Sequence, residues 1–145
     1  MMKIGILIIF RNDENTIDTQ KFINLFSEKK NVTVCFVNNS STDNTLHLLR
    51  EIQEEVPLPI SIIDVKKNRG HNAAIKAGVR YLKSTKDLPH IVCMETFSQK
   101  DMITLEKVLR IVQQEKEIVK DLFSKTQHFM NKNVFSLQGI LDTAC

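Results

Sequence analysis

The sequence predicts an α/β fold, a mostly parallel sheet with helices on both faces, and three observations carry that prediction. Four short apolar runs recur along the chain, each rich in Ile and Val and without clean alternation, as strands covered on both sides are. Segments with the helical period lie between them. Cap and turn residues stand at the junctions. In β-α-β-α-β-α-β order with right-handed crossovers, such elements build a Rossmann-like parallel sheet between helical layers.

The first run, 3–10, precedes a helix marked by Phe22, Ile23 and Phe26. The second, 32–37, leads into a helix carrying Leu46, Leu49, Ile52 and Val56. Ser40 followed by Asp43 resembles a capping box at its start, and Pro57 and Pro59 stop it. The third run, 60–65, precedes a helix with Ala74, Ala77 and Tyr81, and the fourth is 90–95. A second box, Ser98 with Asp101, opens a long fourth helix, expected from Asp101 to Phe123, with Leu105, Val108, Leu109, Val112 and Val119 on one stripe and charge opposite. Beyond Thr126 the pattern fades, and 127–145 reads as a short helix, a strand or a frayed end.

The 145 residues suit one domain spanning 1–145, long enough to bury a core without staples. With 42% hydrophobic and 26% charged residues, disordered and fibrous classes are excluded. A net charge of +3 with no basic block argues against a nucleic-acid partner. Cys35, Cys93 and Cys145 are far apart and form no CxxC pair, which speaks against a disulfide framework or a zinc site and for a reducing, cytoplasmic setting. The apolar run ending at Phe10 is too short to span a membrane, so no transmembrane segment is expected.

In open parallel sheets ligands sit beyond the carboxyl ends of the strands. That rule selects the segments Phe10-Arg11-Asn12-Asp13-Glu14-Asn15, Asn38 to Asp43, Lys66-Lys67-Asn68-Arg69-Gly70-His71, and Glu95-Thr96-Phe97. Carboxylates, amides and cations meet there, the mixture that reads a base and ribose while neutralising phosphates. Gly70, just before a helix, either offers backbone amides to an anion or only makes a tight turn. His71 either touches a phosphate or is a polar cap residue. Gly-x-Gly-x-x-Gly and P-loop cradles are both absent. A receiver-type signalling domain is a further reading, because Asp13 and Glu14 follow the first run and Asp64 ends the third.

Taken together, these segments resemble the N-terminal part of the family 2 glycosyltransferases of GT-A fold, particularly the branch using polyprenyl phosphate acceptors. Ile6 to Glu14 resembles that family's first strand and Tyr-Asn-Glu-type turn, with Arg11 where Tyr is common. Val37 to Thr45 resembles its Asp-Asp-Gly-Ser-Thr-Asp-Asn-Thr segment, and Lys67 to Ala74 its Asn-x-Gly-x-x-x-Ala turn. The resemblance covers about 3–97, leaving 98–145 as a helical part and the GT-A fold truncated on its C-terminal side.

The resemblance implies a transferase for a nucleoside diphosphate sugar, with Phe10, Asn12, Glu14, Asn39, Lys67, Asn68, Arg69, Gly70 and His71 around the donor and the residue at position 39 reading the base. Asn39 stands where the family usually places an Asp. The resemblance also implies a divalent metal, Mg or Mn, and here Met94-Glu95-Thr96-Phe97 occupies the Asp-x-Asp position, leaving Glu95 as its one carboxylate. Phe97 offers no ligand, and Glu95 has an alternative reading as a solvated charge.

The acceptor, a glycan or a polyprenyl phosphate, is left open, and a polyprenyl acceptor would make the chain peripheral to the membrane. The catalytic base is unknown. Glu106, Glu115, Glu117 and Asp121 fall on the long charged helix, and Asp142 is the one later acid outside it. A non-enzymatic alternative is a degenerate GT-A module that binds a protein partner through the Asp101 to Phe123 helix.

Overall fold

A computed structural model describes residues 3–85, 88–130 and 133–144. Five strands, all parallel, are arranged as β3-β2-β1-β4-β5: β1 (Ile4–Phe10), β2 (Val32–Asn39), β3 (Ile60–Val65), β4 (His90–Met94) and β5 (Val134–Ser136). Between them run α1 (Thr19–Ser27), α2 (Thr45–Glu55), α3 (His71–Thr85), α4 (Gln99–Val112) and α5 (Lys116–Lys125), with α6 (Leu137–Ala144) last. A receiver domain has the order 2-1-3-4-5. The observed order removes that reading.

β1 is buried along its whole length because it is central and covered on both sides. Ile4, Ile6, Ile8 and Phe10 point toward α1, α2, α4 and α5, where an aromatic cluster of Phe10, Phe22, Phe26, Phe36 and Phe97 fills the core. Leu7 and Ile9 point the other way, toward α3. Gly78 lets α3 lie close to the sheet, since a Cβ there would come 2.4 Å from Leu7 Cδ1. β3 is an edge strand, and its residues after Ile60 are half-exposed.

Two sequence expectations are corrected and a third is resolved. The helix expected from Asp101 to Phe123 is two helices, broken at Gln113, Gln114 and Glu115. A straight helix of that length would reach about 35 Å, beyond the end of a strand of five to seven residues at roughly 17–23 Å. The break turns the chain back, and the Phe123 ring stacks on His90 at 4.2 Å, at the start of β4. The Ser40/Asp43 capping box does not form. Ser40 follows the end of β2 at φ +56°, while Asp43 Oδ1 accepts from the N–H and hydroxyl of Thr45. The box at Ser98 differs, because there Asp101 Oδ2 accepts from the Ser98 N–H at 2.7 Å and from its hydroxyl at 2.9 Å. Finally, within 127–145 both a strand, β5, and a helix, α6, are present. Cys145 lies outside the described residues.

Cys35 and Cys93 are free and buried, and burial pushes both thiols up to about 12. They are inert at neutral pH. No helix among the described residues is long and apolar enough to cross a membrane.

Candidate functional site

The strand order reverses between β1 and β4, and a cleft of about 390 Å³ opens there beyond the carboxyl ends. Ile9, Arg11 and Asp13 line it from β1 and the turn after it, and Asn39 from β2. Asn68, Gly70 and His71 contribute from the turn before α3, and Glu95, Thr96 and Phe97 from the end of β4.

Asn39 is 3% exposed, and its Oδ1 has no hydrogen-bond partner. Its neighbour Asn38 is equally buried but satisfied, donating from Nδ2 to Asp64 Oδ1 at 2.9 Å and accepting the Ser41 hydroxyl at 2.5 Å. A buried acceptor left unpaired costs roughly 1–3 kcal/mol. A ligand N–H that reached Asn39, which lines the cleft, would remove that deficit.

Gly70 has φ +100°, a conformation that L side chains rarely adopt, and nothing lies within 4 Å of where its Cβ would be. Asn68 Oδ1 accepts from the Gly70 N–H at 2.8 Å and fixes the turn. α3 begins at the next residue, so its first-turn N–H groups open at the cleft edge. His71 Nε2 lies 3.5 Å from Glu95 Oε1 across the mouth. Lys67 and Arg69 are exposed on the same turn but do not line the cleft.

Other residues expected at the site are placed differently. Asn12, at φ +53°, accepts on Oδ1 from the Thr42 N–H at 2.8 Å and donates its own N–H to Ser41 Oγ at 3.0 Å. Glu14 donates its N–H to Asp43 Oδ2 at 3.2 Å. Both residues tie the loop after β1 to the loop after β2. Burial would raise the Asp43 carboxyl, but the Thr45 hydroxyl and the Thr45 and Glu14 N–H groups outweigh it and hold the group below the usual carboxylate value. Phe10 is fully buried in the aromatic cluster and has no surface to offer a ligand.

Arg11, Asp13 and Thr96 line the cleft without having been singled out as binding residues. The strand-end rule had selected their segments, and the alternation of side chains past Phe10 was the signal for Arg11. Asp13 Oδ2 accepts from the Arg11 N–H at 2.8 Å. Its carboxyl is raised by burial, with the negative charges of Asp43 and Asp101 adding to the effect.

The implied divalent metal does not fit these residues. Phe97 is 5% exposed, its ring 5.3 Å from that of Phe10 and 5.1 Å from that of Phe22. Glu95 is left facing His71, and among the described residues no three His, Cys, Asp or Glu side chains converge as a metal group.

The family model described as Glycosyl transferase family 2 matches residues 6–134, past the last motif legible at Glu95-Thr96-Phe97. Among solved structures, the chain is similar to the crystal structure of S. aureus TarS 1-349, with a TM-score of 0.50 and 13% identity. The similarity covers 75% of this chain and 32% of that one, so the chain spans about a third of that structure. No curated protein matches the sequence.

Proposed function

Because this chain belongs to glycosyl transferase family 2 and has the GT-A fold, we propose that the cleft binds a nucleoside diphosphate sugar and that the sugar passes to an acceptor hydroxyl or phosphate. The nucleoside diphosphate is the leaving group. The carrying observation is that Asn39, which lines the cleft, has a buried Oδ1 with no hydrogen-bond partner. A uracil, thymine or guanine ring-nitrogen N–H would pair with it, and an amide does this without the charge assistance of an Asp. Asn68, Gly70 and His71 border the phosphates, while Asn12 and Glu14 act by holding the loops. The reading treats 1–145 as one donor-binding unit working in the cytosol, at the membrane surface if its acceptor is a polyprenyl phosphate.

A thermal-shift titration with UDP, GDP, CDP and dTDP sugars tests this. A bound sugar nucleotide at a hundred times its Kd adds about 2.7 kcal/mol, a rise of several degrees at this size. A rise with a sugar nucleotide that Asn39→Leu removes supports the reading, and no rise with any of the four counts against it.

One set of observations favours a second reading, a degenerate module that binds but does not turn over. Later acids are engaged on helix surfaces: Glu106 with Arg110 at 3.0 Å, Asp121 with Lys125 at 2.9 Å, and Asp142 with Gln138 at 2.7 Å. Its protein partner would dock on α4 and α5, where Ile103 and Ile118 are 61% and 52% exposed. Binding without release of nucleoside diphosphate over long incubation with acceptors would select it.

A further inference from the structure

The same cleft says how its charge is met, and this inference rests on the donor-site reading above. We infer that the diphosphate is held without a divalent cation, its charge met by the Arg11 guanidinium and the free N–H groups that open α3. The residue that should complete a metal pair, Phe97, packs its buried ring against Phe10 and Phe22 and offers the cleft no oxygen ligand. The remaining motif carboxylate, Glu95, has His71 at 3.5 Å, so a cation there would have to displace that contact. Asp13, the other cleft carboxylate, already uses Oδ2 to accept the Arg11 N–H. A hard dication needs several charged oxygens at once, and these two acids do not supply them.

The cationic side of the cleft is better furnished. Arg11 is exposed at the rim, and among the described residues its guanidinium makes no ion pair. A guanidinium fork matches two phosphate oxygens, and its charge persists at every physiological pH. Opposite it, the Gly70 turn feeds directly into α3, whose leading N–H groups and dipole favour an anion. An independent sign that this cleft is built for a ligand is Asn39, nine-tenths buried with an orphaned acceptor.

Calorimetric titration of the full chain tests the inference, using UDP, GDP, CDP and dTDP and the matching nucleosides, first in EDTA and then with Mn²⁺ or Mg²⁺. The expected result is a diphosphate whose Kd changes less than about twofold between the two buffers and rises about tenfold or more in Arg11→Gln, with the nucleoside's Kd unchanged. Tightening of about tenfold or more by Mn²⁺, lost in Glu95→Gln, would overturn the inference and leave the donor site standing. Equal weakening of nucleoside and diphosphate in Arg11→Gln would overturn the assigned role of Arg11, placing the guanidinium on the base. No binding of any nucleotide in either buffer would overturn the donor-site reading and this inference with it.

Discussion

Asn39 separates binding from folding. Its Oδ1 is buried and unpaired, so Asn39→Leu, a swap of similar volume, removes a desolvated acceptor and should leave the free protein as stable or up to about 1 kcal/mol more stable. Nucleotide affinity should fall at least about tenfold. Chemical denaturation and calorimetry on the same variant read the two effects. Phe97 behaves in the opposite way. Phe97→Asp, which would restore the acid of the metal motif, puts a charge between two aromatic rings and should cost about 3–5 kcal/mol, visible as a large fall in Tm. Gly70→Ala tests backbone strain alone, because φ is +100° and no atom obstructs the new methyl. A loss of about 1–2 kcal/mol in denaturant melts is expected. Phe10 shows why residue roles are harder to read than segments. It shares strand parity with Ile4, Ile6 and Ile8, so its side chain goes to the core while Ile9 and Arg11 face the cleft.

Helix α3 is the element that shapes the cleft, and its approach to the sheet depends on Gly78. Gly78→Ala drives a methyl into Leu7, and overpacking of that kind costs about 1–3 kcal/mol. In the pair Gly78→Ala with Leu7→Ala, the losses should be less than additive, which a double-mutant cycle in urea would show. Strand β4 carries a pH signal at its other end. His90 stacks on Phe123, its Nδ1 has no partner, and its pKa is lowered from 6.5 by burial, helped by the positive charges of His128 and Lys120. As pH falls below about 6.5 the unfolded chain takes up a proton that the folded chain resists, so stability is lost through that window and is full above it. His90→Leu should flatten that part of the stability-pH curve measured by urea melts. The four Ile- and Val-rich strands were legible in the sequence because a parallel strand covered by helices carries few polar positions, and even the half-exposed edge strand β3 keeps Ile60, Ile62, Ile63 and Val65. The break after Val112 was not, since Val112 and Val119 sit seven residues apart and keep one helical stripe across it. A strand of three residues, β5, is too short to show a period.

At the scale of the molecule, topology converts scattered segments into one site. Asn39, the turn carrying Asn68, Gly70 and His71, and Glu95 lie far apart in sequence and meet because the order 3-2-1-4-5 reverses at β1 and β4. Spacing and the strand-end rule could name that edge before any coordinates. They could not show that Asn12 and Glu14 would be absorbed in joining two loops, since this depends on Thr42 and Asp43 arriving from the next crossover. The central strand has a further consequence, for how the chain comes to be folded. β1 pairs Ile4 with Val32 on one side and with His90 on the other, so its second edge stays bare until three crossovers have been made. Seven apolar residues with an open edge are a template for wrong partners on a ribosome that adds roughly 5–20 residues per second. The open edge of β1 is therefore the expected weak point while the chain folds, and the two walls of the cleft come together only when β4 pairs with β1.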